Sequence, residues 1–401
     1  MPGTTVYLYV GRSAHPIYRE QLHAVPPGFA YRTDHPDLSD AGAATKLVKG
    51  RAGRFPKLRE QAERAALRAL GEVGYVRRDK HVSVLPGDAV IHSTELLLRD
   101  APRPYVVDFE HIECFTMYQH VALRRGARGR LVDALADDRC RSLMAWSDWA
   151  KDSALRALGA DGVRRVGHKI TTVLPSIRPL VAEPRRRGDG PLRVLFIGTK
   201  FYEKGAVDAI KALRRVRTTH DVVLDLVSFV PDEWAAALRG ERGITVHRPG
   251  GHEFIRGLYA EADVLLFPSH MDTFGYVVME ANAYGLPVLA PAHQALPQLI
   301  DDGRTGLLFA SENSLYDADG FVRFPSSLPP PASYLAALRE PSDAYVDDIA
   351  AKLARLAEEP ELHGALAAGA LERVRSGLFS VTRRQERLAE IYGAAASVSA
   401  A

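Results

Sequence analysis

Residues 262–290 read ADVLLFPSHMDTFGYVVMEANAYGLPVLA, and the alternation inside this stretch sets the architecture expected of the chain. DVLLFP (263–268) is a short apolar run suited to a buried strand, followed by a polar loop that carries Asp272. A helix is expected from about Gly275 until Gly285 and Pro287 end it, and PVLA (287–290) is again a strand. Strand, helix and strand in so short a span is the repeating unit of a parallel sheet.

The rhythm continues on both sides. LRVLFIG (192–198) is a strand, Lys204 to Arg217 a helix, VVLDLVSF (222–229) a strand, and Pro231 opens another helix at the position where the ring is tolerated. ITVHR (244–248), a helix from about His252 and TGLLF (305–309) extend the series. Upstream, VYLYV (6–10), YVVDF (105–109) and SLMAW (142–146) read as strands between helical stretches. One of these, Lys57 to Leu70, puts Leu58, Ala62, Ala65 and Ala69 on one face. VAEPRRRGDGP (181–191) suits neither helix nor strand and reads as a linker, and residues 310–335, rich in Ser, Pro, Asp and Gly, read as a long surface loop. The expected fold is therefore α/β, with two Rossmann-like doubly wound domains facing a cleft at the carboxyl ends of their strands, where such sheets bind ligands. The first domain is placed at residues 1–182, the linker at 183–191 and the second domain at 192–378, with residues 379–401 as a final helix and tail.

Composition agrees with this reading. A chain of 401 residues exceeds what one core usually organises, and 46% hydrophobic with 25% charged residues excludes a disordered or fibrous protein. No apolar run reaches the ~18–20 residues of a membrane span. The start, MPGTTVYLYVGR, lacks the regions of a signal peptide, and only Cys114 and Cys140 are present, so a reducing cytoplasm is the expected location. The formal net charge of +3 hides an asymmetry: residues 1–190 hold 31 Lys and Arg against 22 Asp and Glu, and residues 191–401 hold 21 against 27. The basic stretch from Lys46 to Arg68 suits either a solvated face or an anionic membrane surface.

The chemistry concentrates at Pro268 to Val288. Asp272 and Glu280 are separated by seven residues, one before the helix and one within it. Backbone N–H groups near Gly275 would be unpaired donors at a helix start, a place for phosphate, with a carboxylate on either side to grip hydroxyl groups. A bare acidic pair at this spacing also fits a polar loop before an ordinary core helix.

The surrounding residues resemble the E-x7-E signature of family 4 retaining glycosyltransferases, which have the GT-B fold. The resemblance extends to VLFIGTKFYEKG (194–205), ADVLLFPS (262–269), PVLA and DGRTGLLF (302–309), and to MAWSDWAKDSAL (144–155), KITTVLPSIRP (169–179) and FSVTRRQERLAEIY (379–392). Residues 140–310 and the last helix match well, and residues 1–100 weakly. The resemblance implies that the final helix crosses back to the first domain. It also implies that Glu280 binds the ribose of a sugar nucleotide and that Asp272 contacts the donor sugar. Thr273, Phe274 and Gly275 would form the loop whose backbone meets diphosphate and sugar, Gly198 and Lys200 would complete the donor-binding set, and Lys204 would neutralise the leaving diphosphate. His111, in VVDFEHIECF, resembles the first-domain histidine beside donor sugar and acceptor. Asp272 is one methylene shorter than the family's usual Glu, Thr199 stands where the family has Arg, and the N-terminal glycine-rich loop is reduced to VGRSAHP, with Gly11 and Arg12.

Other polar groups have plainer readings. Asp317 and Asp319, in YDADG, fit a turn better than a metal site, and His247 and His252 read as surface or capping groups or as neighbours of the nucleotide base. The expected protein is a retaining, metal-independent glycosyltransferase of hexosyltransferase type, needing no cofactor beyond its nucleotide diphosphate sugar donor. Its partners would be that donor, a hydroxyl acceptor (glycolipid, polysaccharide or small-molecule glycoside) and an anionic membrane surface, with no nucleic acid. The rival readings are a sugar-nucleotide epimerase of the same fold and a non-catalytic nucleotide-sugar-binding partner protein.

Overall fold

The computed structural model describes residues 3–10, 16–33, 35, 38, 89–98, 101–116, 125–323 and 330–397. The loop with Gly11 and Arg12, the amphipathic segment from Lys57 to Leu70 and the basic stretch from Lys46 to Arg68 lie outside the described residues. The chain forms two compact units: one from Met1–Pro175, Asp319–Ser327 and Thr382–Ala401, the other from Ser176–Ala318 and Leu328–Val381.

The first unit is built on a wholly parallel sheet of β1 (Thr4–Tyr9), β2 (Phe29–Arg32), β3 (Val90–Thr94), β4 (Tyr105–Phe109), β5 (Cys140–Ala145) and β6 (Ile170–Thr172), in the order β2-β1-β3-β4-β5-β6. β3 was not recognisable as an apolar run, because VIHST puts a histidine and two hydroxyl residues at the centre of the sheet. Their polarity is absorbed by partners. His92 Nδ1 lies 2.6 Å from the Tyr392 hydroxyl and Nε2 3.2 Å from Asp108 Oδ2, while Ser93 donates to the Leu96 carbonyl. A buried strand can carry such residues when most of their polar groups face a partner.

Tyr392 belongs to the last helix, Val381–Ser397, which returns to the first unit and lays Leu388, Ile391, Tyr392 and Ala395 against Val6, Val90, Val106 and Met144. Arg384 anchors the same helix, donating from Nε to Gln21 Oε1 at 2.6 Å and from a terminal nitrogen to the Leu174 carbonyl at 2.7 Å. The expectation of a surface loop over 310–335 needs correction for residues 319–323. Here the chain docks on the first unit: Phe321 packs against its core and Arg156 Nε donates to the Asp319 carbonyl. The apolar side chains of Phe321 and Val322 have a better place in the protein than in water.

The second unit holds β7 (Leu192–Ile197), β8 (Val222–Val227), β9 (Ile244–His247), β10 (Val264–Leu266), β11 (Val288–Pro291) and β12 (Gly306–Phe309), again all parallel, in the order β12-β11-β10-β7-β8-β9. The helix Ala206–Val216 buries Val207, Ile210 and Leu213 on this sheet, the stripe that a 3.6-residue period requires. After β7 the chain proceeds outward to β8 and β9, then returns to place β10 on the other side of β7. The switch point of the sheet therefore lies between β7 and β10, which pair through Val194–Val264 and Leu195–Leu265. Sheets of this kind bind ligands outside the carboxyl ends of the strands at such a point. The linker arginines hold to this unit, Arg187 donating to the carbonyls of Leu356 and Ala357.

Candidate active site

The loop after β7 carries Gly198, Lys200 and Lys204, and the loop after β10 carries Asp272, Thr273, Phe274 and Gly275. Because β7 and β10 are neighbours at the switch point, the two loops meet. Lys204 Nζ donates to Asp272 Oδ2 at 2.6 Å and to the Met271 carbonyl at 2.7 Å, with both charged side chains mostly shielded from solvent. The ammonium also lies 5.8 Å from the centre of the Phe267 ring. Asp272 Oδ1 accepts in turn from the Phe274 amide at 3.3 Å. The acid thus faces the cation on one side and the start of the next helix on the other.

Glycines permit this convergence. A Cβ on Gly198 would stand 2.6 Å from Lys204 Cβ, so the lysine passes over the glycine at a distance no side chain allows. Gly275 is left-handed, with φ 89° and ψ 55°, and it caps the helix Tyr276–Ala283 without any side-chain hydrogen bond. The first-turn amides of that helix are donors of the kind that anions seek. Gly205 takes a similar backbone conformation before the helix Ala206–Val216, so both loops end in a glycine and a helix start.

Glu280 sits one turn into the Tyr276–Ala283 helix and accepts from the Tyr259 hydroxyl at 3.1 Å. Tyr259 is buried and stacked on Tyr284, 5.3 Å between ring centres. Burial first, and the Glu280 charge second, push its hydroxyl well above the usual phenol range, so it remains a donor at every physiological pH. Nothing near Glu280 in sequence signalled this partner, which comes from the preceding helix, His252–Glu261.

Thr273 and Phe274 are buried, whereas Thr199 and Lys200 are exposed. Lys204, Asp272, Phe274, Gly275 and Gly198 are brought together, and Glu280 follows on the same helix as Gly275's cap.

His111 belongs to the first unit, just after β4. Its ring is fully buried and stacked on Trp149 at 5.0 Å, and Nε2 lies 2.8 Å from the Gly320 carbonyl. That oxygen can only accept, so Nε2 carries the proton and Nδ1 accepts from the Glu113 amide at 3.4 Å. Burial holds the imidazole at a pKa of about 4, below its usual range, the Gly320 hydrogen bond opposing weakly. Among the remaining polar candidates, His247 pairs with Asp225 across β8 and β9 at 2.8 Å, and Gly320 closes a turn at φ 83° after Asp319.

Residues 191–322 match the family described as Glycosyl transferases group 1. That segment contains both loops of the site. Glycogen synthase of Mycobacterium tuberculosis is 33% identical over 129 residues, which cover 31% of this chain and 31% of that protein. D-inositol 3-phosphate glycosyltransferase of Arthrobacter is 33% identical over 152 residues, 35% of this chain and 36% of that protein. The chain thus spans about a third of the length of these relatives. Among solved structures, Anabaena HepE in complex with UDP and glucose superposes with a TM-score of 0.59 at 14% identity, covering 97% of this chain and 99% of that one. Sucrose-phosphate synthase of Thermosynechococcus elongatus gives 0.59 at 16% identity, with 98% of each chain covered. The fold is GT-B. Among the described residues no helix is long and apolar enough to cross a membrane.

Proposed function

We propose that the chain is a retaining glycosyltransferase that takes a nucleoside diphosphate sugar and passes the sugar to an acceptor hydroxyl without a metal. The observation that carries this reading is the Lys204–Asp272 pair, set beside a glycine-capped helix start at the switch point of the second sheet. The family match over residues 191–322 supports it. The HepE complex supports uridine diphosphate as the first nucleotide to try.

In this reading the diphosphate lies over Gly275 and the first-turn amides, and the ribose hydroxyls meet Glu280, which Tyr259 holds in place. Asp272 takes a hydroxyl of the donor sugar. An ammonium has three protons, and Lys204 directs two of them at Asp272 and the Met271 carbonyl, leaving the third for a diphosphate oxygen. As the bond from the anomeric carbon to phosphate breaks, negative charge grows on the departing oxygen, where a fixed cation and helix donors stabilise it. That oxygen accepts the proton of the incoming hydroxyl on the same face of the sugar, and the configuration is retained.

The test has two stages. Nucleoside diphosphates and their sugars are screened by thermal shift, since a ligand that binds only the folded state raises the melting temperature. Transfer from the stabilising donor to an acceptor panel is then followed by anomeric proton NMR. Inversion at the anomeric carbon rejects the retaining mechanism, isomerised donor in the absence of acceptor identifies an epimerase, and binding without turnover identifies a sensor.

A further inference from the structure

His270 stands two residues before Asp272 and is 1% exposed. Its Nε2 lies 2.9 Å from Asp208 Oδ2 and its Nδ1 2.8 Å from the Glu312 carbonyl. A backbone carbonyl only accepts, and an ionised carboxylate only accepts. Both ring nitrogens must therefore donate, which makes the ring an imidazolium facing a carboxylate, enclosed by protein. Its backbone is tied as firmly. The His270 amide donates to the Glu203 carbonyl at 2.9 Å, and its carbonyl receives the Leu315 amide at 2.8 Å.

Two of these four bonds, to Asp208 and Glu203, join the segments that matter for the pair described above. Glu203 adjoins Lys204, Asp208 lies in the first turn of the helix that follows, and His270 leads into Asp272. The approach is close enough that a Cβ on Gly205 would stand 2.1 Å from the Pro268 carbonyl and 2.9 Å from Asp208 Oδ2. Asp208 is fully buried, and its charge also suits the positive end of its own helix. An imidazole that lost its charge would leave one ring nitrogen facing an acceptor with nothing to donate, and the loop would relax.

We propose that His270 is a positioning residue, protonated throughout the physiological pH range, that clamps the Asp272 loop to the Lys204 segment and so sets the geometry of the diphosphate site. The inference rests on the donor-site reading for its functional consequence, though not for the charge itself. The groups facing the ring agree with it. Burial opposes the charge, while the hydrogen bond and charge of Asp208, then the Glu312 carbonyl and carboxylate, outweigh it and raise the ring above the usual histidine range; the neighbouring His293 is held at about 4 and stays neutral. The Tyr345 ring, 6.0 Å away, is a neutral phenol, since burial and the Asp208 charge push it well above its ordinary range.

The experiment is nitrogen NMR of histidine-labelled full-length protein, with His270 assigned by its loss in His270→Gln, together with UDP binding by calorimetry. Wild-type His270 is expected to show two protonated nitrogens from pH 5 to 8.5. An unprotonated nitrogen, or titration near the ordinary value of about 6.5, overturns the proposal. Asp208→Asn, whose amide can donate to Nε2, is expected to leave a neutral ring and to weaken UDP binding about tenfold at pH 7.5, the scale of one charged hydrogen bond. A neutral ring in Asp208→Asn with wild-type UDP affinity overturns the positioning role. If the wild-type chain binds no nucleoside diphosphate while His270 remains doubly protonated, the donor-site reading fails and the positioning role with it, but the buried imidazolium stands.

Discussion

Lys204 Nζ lies 2.6 Å from Asp272 Oδ2, although 68 positions separate the two residues in sequence. The distance is short because their loops leave adjacent parallel strands on either side of the sheet's switch point. Each residue is therefore the other's ion-pair partner, and on the proposed donor reading a bound diphosphate would share the cation with the carboxylate. Lys204→Ala is expected to lower kcat more than donor affinity, because the charge matters most as the diphosphate departs. It also leaves Asp272 shielded from solvent and unpaired, which costs about 1–3 kcal/mol of stability. Asp272→Asn combined with Lys204→Met restores most of that stability but not turnover. Denaturant melts and steady-state kinetics on the two variants check both statements, and equal losses in kcat and affinity would mark Lys204 as a ground-state binder.

Glu280 and Tyr259 form the second pair to test. If Glu280 binds the ribose as proposed, Glu280→Ala removes charge-assisted hydrogen bonds worth about 1.5–3 kcal/mol each, so donor KM should rise by one to two orders of magnitude or more. Tyr259→Phe keeps the ring stack on Tyr284 and deletes only the donor to Glu280, so it should raise donor KM a few-fold with kcat nearly unchanged. An unchanged KM in Glu280→Ala would remove this residue from the site.

Gly198→Ala tests whether the glycine serves Lys204. The added methyl would stand 2.6 Å from Lys204 Cβ and 3.2 Å from the Phe196 ring. The lysine must move, and overpacking of this kind costs about 1–3 kcal/mol. Activity should fall toward that of Lys204→Ala, while the sheet remains folded by circular dichroism. Gly198→Ala with full activity would show that Lys204 works from a position other than the one observed here.

Much of the second unit was legible because its strands are apolar and its helices are bounded by glycine and proline. DVLLFP, PVLA and LRVLFIG identify themselves by period and punctuation, and Gly275 precedes the helix where expected. What escaped was whatever depends on distant partners. β3 was hidden because His92 meets Tyr392 and Asp108 and Ser93 meets the Leu96 carbonyl, and nothing local in VIHST says so. The docking of residues 319–323 was hidden for the same reason. Tyr259 and Asp208 are ordinary helical residues until the fold brings them to Glu280 and His270. Apolar periodicity reports where a chain is buried, but a matched polar pair between separate elements leaves no period.

The last prediction concerns His111, whose ring is buried against Trp149 with Nε2 on the Gly320 carbonyl. Its folded pKa of about 4 lies below the ordinary value of about 6.5. The folded state then binds fewer protons than the unfolded state between these two values, so stability rises with pH across that window. Read in the other direction, acidification from about 6.5 toward 4 removes stability, by about 3 kcal/mol at the limit, and the loss levels off below 4. His111→Gln keeps a donor for Gly320 but cannot titrate. It should flatten this part of the pH–stability curve relative to wild type, with His293, itself held at about 4, contributing the same slope to both proteins. His111→Ala removes the stack and leaves the Gly320 carbonyl without its partner, so the melting temperature should fall at neutral pH. UDP binding, assigned to the second unit, should be unaffected by either change. Transfer separates packing from chemistry: a neutral imidazole that assists the reaction predicts a loss of about 10² in both variants, well beyond the loss of folded protein. If His111→Gln keeps full transfer and only the pH slope changes, the residue belongs to the fold of the first unit and not to the reaction.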